Sequence, residues 1–363
     1  MIYVAIFVII FTAIQLVVAL SNKVFVTSLP NNETLGIQLV SVLIPARNEE
    51  KNIATILTDL QQQEYKNIEI IVFNDLSDDR TAQIVESFCA TDNRIKLLNS
   101  DGLPSGWLGK NFACHSLAQH AKGDYYLFLD ADVRVQGNII AKAINFSQKH
   151  HLGLISIFPK QIIKTLGEKI TVPIMNYILL SLLPLIQVRK SKNPAFSAAN
   201  GQFMFFSSSV YKKYNPHELV KTDKVEDISI ARLLKKEGIP IACLVGDSTI
   251  QCRMYEGFSD SVNGFSKNVT AFFGNSFVIA LLFWIVTTWG WLFILLNLPL
   301  SVFYVYLIIY LLTRIIISIV SRQNIILNIL FVIPQQISCG MFIYKAVINK
   351  FTKNYQWKQR SIN

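Results

Sequence analysis

A mostly parallel α/β domain tied to a membrane is the fold class this sequence predicts. Three observations predict it. Short, almost wholly apolar runs of strand length alternate with helical patterns between residues 39 and 129, the pattern of a sheet buried on both faces. Charged residues stand just after several of those runs, where open α/β sheets bind ligands. Long apolar stretches precede and follow this region, and each is long enough to cross a bilayer.

Ile2 to Leu20 carries no charge. Ala19-Leu20-Ser21 would suit a leader-peptide cleavage site, but the lack of a basic start and the length of the apolar run favour a membrane anchor over residues 1–21. Leu39 to Ile44 is the first strand, ended by Pro45, with Asn48 placed to cap a helix through Leu60. Ile68 to Phe73 is the second strand, followed by a turn at Asn74–Asp78 and a helix from Asp79 to Cys89. Arg94 to Leu98 is the third strand, Lys110 to Ala121 a helix, and Tyr125 to Leu129 the fourth strand. The alternation implies a doubly wound parallel sheet with right-handed crossovers. It puts Arg47, Asp75, Asp130 and Asp132 on one edge.

The later part is less regular. Gly153 to Phe158 reads as a strand, and Phe196 to Phe206 as strand-like with a turn at Asn200-Gly201. Residues 170–188 are apolar but broken by Pro173 and Pro184, which suggests an interfacial or buried helix pair. Glu226 to Glu237 is an amphipathic helix with Ile230, Leu233 and Leu234 inward, Lys235 and Lys236 in its last turn, and Gly238 as its stop. Residues 22–270 thus form one globular domain, and 271–363 a C-terminal membrane region with a basic tail. Phe277–Leu298 and Leu300–Val320 are candidate spans. Ile325–Ile348, interrupted by Pro334-Gln335-Gln336, reads as re-entrant or interfacial.

The chain of 363 residues is 52% hydrophobic with a net charge of +10. Its basic residues are scattered or lie beside apolar segments, and no nucleic-acid motif accompanies them. The tail after Tyr344 holds Lys345, Lys350, Lys353, Lys358 and Arg360 and no acid, which fits the cytoplasmic face of a membrane. The five cysteines are odd in number and lack C-x-x-C spacing, as in a reduced compartment.

Asp130-Ala131-Asp132 caps the fourth strand. Alone, this spacing also describes a strand-end turn or cap pair. Two carboxylates at a strand end would equally suit a divalent cation gripping a phosphorylated ligand. Asp75 reads as an Asx-turn, or as an acid that meets a base or ribose. Lys110 opens a helix, where the dipole disfavours it, so a phosphate partner and a solvated lysine are both open. Glu226 and Asp227 sit in a first turn, as dipole-stabilising acids or as a general base and its neighbour. Arg253 suits either a leaving phosphate or a membrane surface.

Taken together, Val42–Glu50, Ile70–Thr81, Gly123–Asp132 and Glu226-Asp227 resemble the family 2 glycosyltransferases of GT-A fold. Gly106–Asn111, Arg253-Met254-Tyr255 and Gly264–Asn268 are similar to a membrane-bound subgroup that includes the carotenoid and the hopanoid-associated glycosyltransferases. The resemblance implies a GT-A catalytic domain with a Rossmann-like, mostly parallel sheet between N- and C-terminal transmembrane helices. It implies that Pro45, Arg47 and Glu49 line a nucleotide pocket. Asp75 would meet the base, and Lys110 the base or phosphates. Asp130 would lie by the ribose and metal, and Asp132 would ligate Mg²⁺ or Mn²⁺. Asp227 would be the base, with Glu226 beside it, and Arg253 would offset the leaving diphosphate. Two departures stand out. Gln251–Tyr255 is shorter than the Q-x-x-R-W of processive synthases and lacks Trp, and Asn74 and Leu76 replace the usual Asp and Gly.

The expected function is single, inverting transfer of a sugar, UDP-linked, to a hydroxyl or carboxyl of a lipid such as a carotenoid. The catalytic domain would lie on the cytoplasmic side of a multi-pass membrane protein. A polyprenyl-phosphate or glycan acceptor is the nearest alternative. A non-catalytic membrane sensor of nucleotide sugars is the alternative of another class.

Overall fold

The computed structural model describes residues 1–25, 29, 37–352, 356–357 and 360–361. The elements begin with α1 (Ile2–Phe25), β1 (Val40–Ala46), α2 (Ile53–Gln61), β2 (Ile68–Asn74), α3 (Thr81–Cys89) and β3 (Ile95–Asn99). Then come α4 (Gly109–His120), β4 (Tyr125–Leu129), β5 (Val133–Val135), α5 (Ile139–His150), β6 (Leu154–Phe158) and β7 (Lys160–Gln161). Three short helices, α6 (Leu166–Thr171), α7 (Pro173–Leu182) and α8 (Leu185–Lys190), lead to β8 (Phe203–Ser207). After them come α9 (Ser208–Tyr214), α10 (Pro216–Leu219), α11 (Glu226–Lys236), β9 (Ile241–Val245), β10 (Ile250–Cys252) and α12 (Phe258–Asn268). A 3₁₀ turn at Val269–Phe273 precedes α13 (Phe277–Asn297), α14 (Leu300–Val320), α15 (Ile325–Leu330) and α16 (Val332–Thr352). Two-residue strands β11 (Gln356–Trp357) and β12 (Arg360–Ser361) pair near the end.

The main sheet has the order β3-β2-β1-β4-β8-β6-β9. β1, β2, β3 and β4 are mutually parallel, and so are β6 and β9. The sheet is mixed rather than wholly parallel, because β8 runs antiparallel to both β4 and β6. An apolar run buried on both faces looks the same in either direction, so direction was not legible from Phe203–Phe206. The strand expected from Phe196 begins only at Phe203. β5, β10 and β7 form a small second sheet.

Alternate residues of β1 supply two cores. Val42 and Ile44 join α2 and α5 on one face. Leu43 faces α4, and that core continues into α11, α7, α12, α13, α14 and α16. The sheet domain and the apolar helices therefore share one packed interior. Among the described residues three helices are long and apolar enough to cross a membrane: α1, α13 and α14.

Several local expectations change. Pro45 lies inside β1, paired with Phe73, rather than ending it. The β1–β4 ladder stops at Leu43, so the missing N–H disrupts no bond there. Asn48 does not cap α2, which starts after Asn52. It takes a left-handed conformation and exchanges hydrogen bonds with Ser77 and Asp78 in the neighbouring strand-end loop. Leu233 is only half-buried, whereas Lys235 is buried and donates to the carbonyls of Gln187, Asn193 and Phe196. Pro334 stands in the first turn of α16, where a helix tolerates it. Gln335 and Gln336 are buried, bonding Lys169, Asn328, Trp284 and Thr288, so the polar triplet is an internal seam. In the basic tail, Lys353 and Lys358 lie outside the described residues.

Candidate active site

The strand order reverses between β1 and β4: the chain builds outward to β2 and β3, then returns to the other side of β1. Such a switch point opens a crevice at the carboxyl ends of the two strands. A cavity of about 590 Å³ lies there. Pro45 at the end of β1 and Glu49 beyond it line the cavity, as do Asp130 and Asp132 beyond β4. Lys110 on α4 and Glu226 and Asp227 at the start of α11 close it.

The centre is a charge cluster. Lys110 Nζ lies 2.9 Å from Asp130 Oδ1 and 3.1 Å from Glu226 Oε1, and donates to Asp130 Oδ2 at 3.1 Å. The two acids hold the ammonium well above its ordinary range against the opposing effect of burial. Burial raises the Asp130 carboxyl, with Lys110 opposing. Gly201 backs the cluster. A Cβ there would stand 2.8 Å from Lys110 Nζ and 3.1 Å from Glu226 Oε1.

Asp227 is fixed by the backbone. Its Oδ2 accepts from Gly201 N at 2.9 Å, and its Oδ1 from its neighbour Ile228 N at 2.7 Å. Burial, reinforced by Glu226, pushes its carboxyl up to about 7 despite Lys110 and these two N–H groups. A carboxyl poised there can take a proton at neutral pH.

Seven of the sequence-predicted residues thus share one cavity: Pro45, Glu49, Lys110, Asp130, Asp132, Glu226 and Asp227. Arg47, Asp75 and Arg253 stand outside its lining. Arg47 Nη1 donates to the carbonyls of Asp75 and Leu76, which ties the β1 and β2 end loops together. Asp75 is buried, and its N–H donates to Ala46 O. Arg253 pairs with buried Glu168 at 2.8 Å.

Sequence reasoning missed Glu168 and gave Gly201 only as a turn. Both owe their importance to partners distant in the chain. The paired motifs near the end of the domain do have a shared explanation. Tyr255 lies on Gly264, where a Cβ would come 2.1 Å from the phenol oxygen, and packs edge-on against Phe265.

Among the described residues no cluster of three or more His, Cys, Asp or Glu side chains could hold a metal by itself. Asp130 and Asp132 nevertheless fit Mg²⁺ or Mn²⁺ of the kind held by one or two carboxylates and completed by ligand phosphates. Cys252 stands beside them with its thiol held protonated, raised by burial and by Asp132 and Asp130. Gln202 donates to its sulfur.

The mostly parallel mixed sheet with its flanking helices is of the GT-A kind. Residues 41–214 match the sequence model of glycosyl transferase family 2. Relatives include the 4,4'-diaponeurosporenoate glycosyltransferase of Staphylococcus haemolyticus, 29% identical over 235 residues. The Staphylococcus aureus (strain USA300) protein of the same name is 26% identical over 236 residues. Both matches take in 64% of this chain but only 61% and 60% of the relatives' own length. A mannosyltransferase from Pyrobaculum calidifontis, solved with GDP-Man and Mn²⁺, shares the fold. Its TM-score is 0.54 at 13% identity, over 96% of this chain and 99% of that one.

Proposed function

We propose that this protein is an inverting glycosyltransferase that moves a sugar from a nucleotide sugar, UDP-linked, to a membrane lipid. The carrying observation is Asp227: a carboxyl raised to about 7 in the same cavity as Asp130, Asp132 and Lys110. The names of the Staphylococcus relatives support a carotenoid or similar isoprenoid acceptor.

In this reading Asp227 takes the proton of an acceptor hydroxyl as its oxygen bonds to the anomeric carbon. The bond from that carbon to the diphosphate breaks on the opposite face, through a transition state of oxocarbenium character. On a carboxyl acceptor, already ionised near neutral pH, Asp227 orients the nucleophile instead. Lys110 is a cation already in the cavity to receive the leaving diphosphate, with Lys224 and Lys267 also in its lining, while Arg253 would first have to leave Glu168. Asp132 and Asp130 would hold Mg²⁺ or Mn²⁺, which supplies charge stabilisation to the diphosphate.

The acceptor would arrive from the bilayer. Met175 and Asn176 on α7 and Phe272 of the 3₁₀ turn line the cavity. Those same segments pack in one core with α13 and α14. With α1, α13 and α14 in the membrane, the sheet domain would face the cytoplasm beside the basic Lys345 and Lys350.

The test is nucleotide release by full-length protein in membranes, with a panel of labelled sugar nucleotides, Mg²⁺ or Mn²⁺, and lipid extract. Wild type should give lipid-dependent release and one labelled lipid band. Asp227→Asn should bind donor yet lose on the order of 10²-fold or more in turnover. Equal donor binding with no turnover by wild type under any lipid would favour a sensor.

A further inference from the structure

Asp130 is not open to a cation as the chain stands. Lys110 Nζ lies 2.9 Å from one of its oxygens and 3.1 Å from the other, and 3.1 Å from Glu226 as well. The ammonium is also wedged against the backbone of Gly201, which leaves no room for a Cβ. A divalent ion seeking Asp130 meets a like charge already seated on both carboxylate oxygens. Moving that lysine off Asp130 without another anion to replace it would strip a desolvated cation of one of its two acidic partners, which is costly.

We propose that Lys110 is the resident counter-ion of the metal site and makes metal binding depend on the donor. The inference rests on the donor-and-metal reading above. A nucleoside diphosphate brings the missing anion. Lysine is a point charge with three rotatable donors on a flexible stem, so it can pass from Asp130 to a phosphate oxygen with little rearrangement. That frees Asp130 to join Asp132 as the phosphates arrive. The free protein would then bind Mg²⁺ or Mn²⁺ poorly, and nucleotide and metal would enter together. Glu226 keeps a hold on the ammonium in both states, so its place beside Asp227 has a second use.

Mn²⁺ binding to the full-length protein in detergent, followed by the EPR signal of free Mn²⁺, tests this. It would be measured alone and with UDP or GDP, corrected for Mn²⁺ held by nucleotide in buffer. Wild type should gain on the order of tenfold or more in Mn²⁺ affinity when nucleotide is present, and Lys110→Met should show a comparable gain with Mn²⁺ alone. The pair Lys110→Met with Glu226→Gln keeps the net charge and should show the same gain if the single variant folds poorly. Unchanged or weaker Mn²⁺ binding in these variants, while wild type still binds Mn²⁺ with nucleotide, overturns the role of Lys110 and leaves the transferase reading standing. If neither wild type nor variant binds Mn²⁺ with any nucleotide, the metal-dependent reading falls, and this inference with it.

Discussion

Gly201 and Lys110 fit so closely that a single methyl group would separate them from their present contact. A Cβ on Gly201 would stand 2.8 Å from Nζ. The obstructed atom is the far end of a flexible side chain, so Gly201→Ala should shift Lys110 without unfolding the domain. Turnover should fall by about 10- to 100-fold, as misplacing a catalytic group does, with the melting temperature nearly unchanged. Turnover equal to wild type would mean that the position of Lys110 does not matter to the reaction.

The Asp227 carboxyl should set the acid limb of the pH profile. Burial and Glu226 raise it to about 7, while Lys110 and the N–H groups of Ile228 and Gly201 pull the other way. The base form exists above that value and is lost as pH falls through it. With a hydroxyl acceptor, kcat should therefore rise through pH 7 and level off. Lys110→Met removes a lowering influence, so the limb should move to higher pH. A carboxyl acceptor would flatten the limb, which makes the profile a reading of acceptor class.

Asp130 and Asp132 could be placed because their signal is local: they follow an apolar run of strand length. Lys110 was legible for a similar reason, as a lysine where a helix dipole repels it. What sequence could not supply was the far side of each contact. Nothing near Gly201 announces Lys110, and nothing near Arg253 announces Glu168. From sequence Lys235 can be placed only in the last turn of its helix, because its three carbonyl partners come from α8 and from the loop between α8 and β8. The direction of β8 was hidden for a different reason, since burial on both faces erases the alternation that would reveal it.

Leu76 marks a place where a motif departure has a structural cost. It takes φ 51° in the β2 end loop and is 47% exposed. The left-handed region costs a branched residue about 1–2 kcal/mol, and an exposed leucine has little packing to lose. Glycine gives back part of that gain through the greater freedom of its unfolded chain. Leu76→Gly should thus stabilise the protein by up to about 1 kcal/mol, a rise of roughly 1–3 °C in melting temperature. The carbonyl of residue 76 still receives Arg47 after the change, so the loop should keep its form. A fall in melting temperature would show that the Leu76 side chain is needed where it stands.

Asn22 repairs a break that Pro184 makes. Proline has no N–H to donate to the carbonyl four residues earlier, so α7 cannot continue into α8. Asn22 of α1 is fully buried, and its Nδ2 donates to Leu180 O at 3.0 Å and to Leu183 O at 2.9 Å. Its Oδ1 accepts from Leu185 N at 2.7 Å. One amide thus satisfies two carbonyls and one N–H at the interrupted turn. Asn22→Leu keeps the volume but leaves all three buried without that partner, at about 1–3 kcal/mol each before relaxation. Exposed Lys23→Ala, one residue along the same helix, should change little by comparison. Because α7 carries Met175 and Asn176 to the cavity wall, Asn22→Leu should lower the melting temperature and raise the KM for lipid acceptor. Donor affinity measured without acceptor should stay near wild type. A melting temperature equal to that of Lys23→Ala would mean that α7 and α8 hold their break without α1.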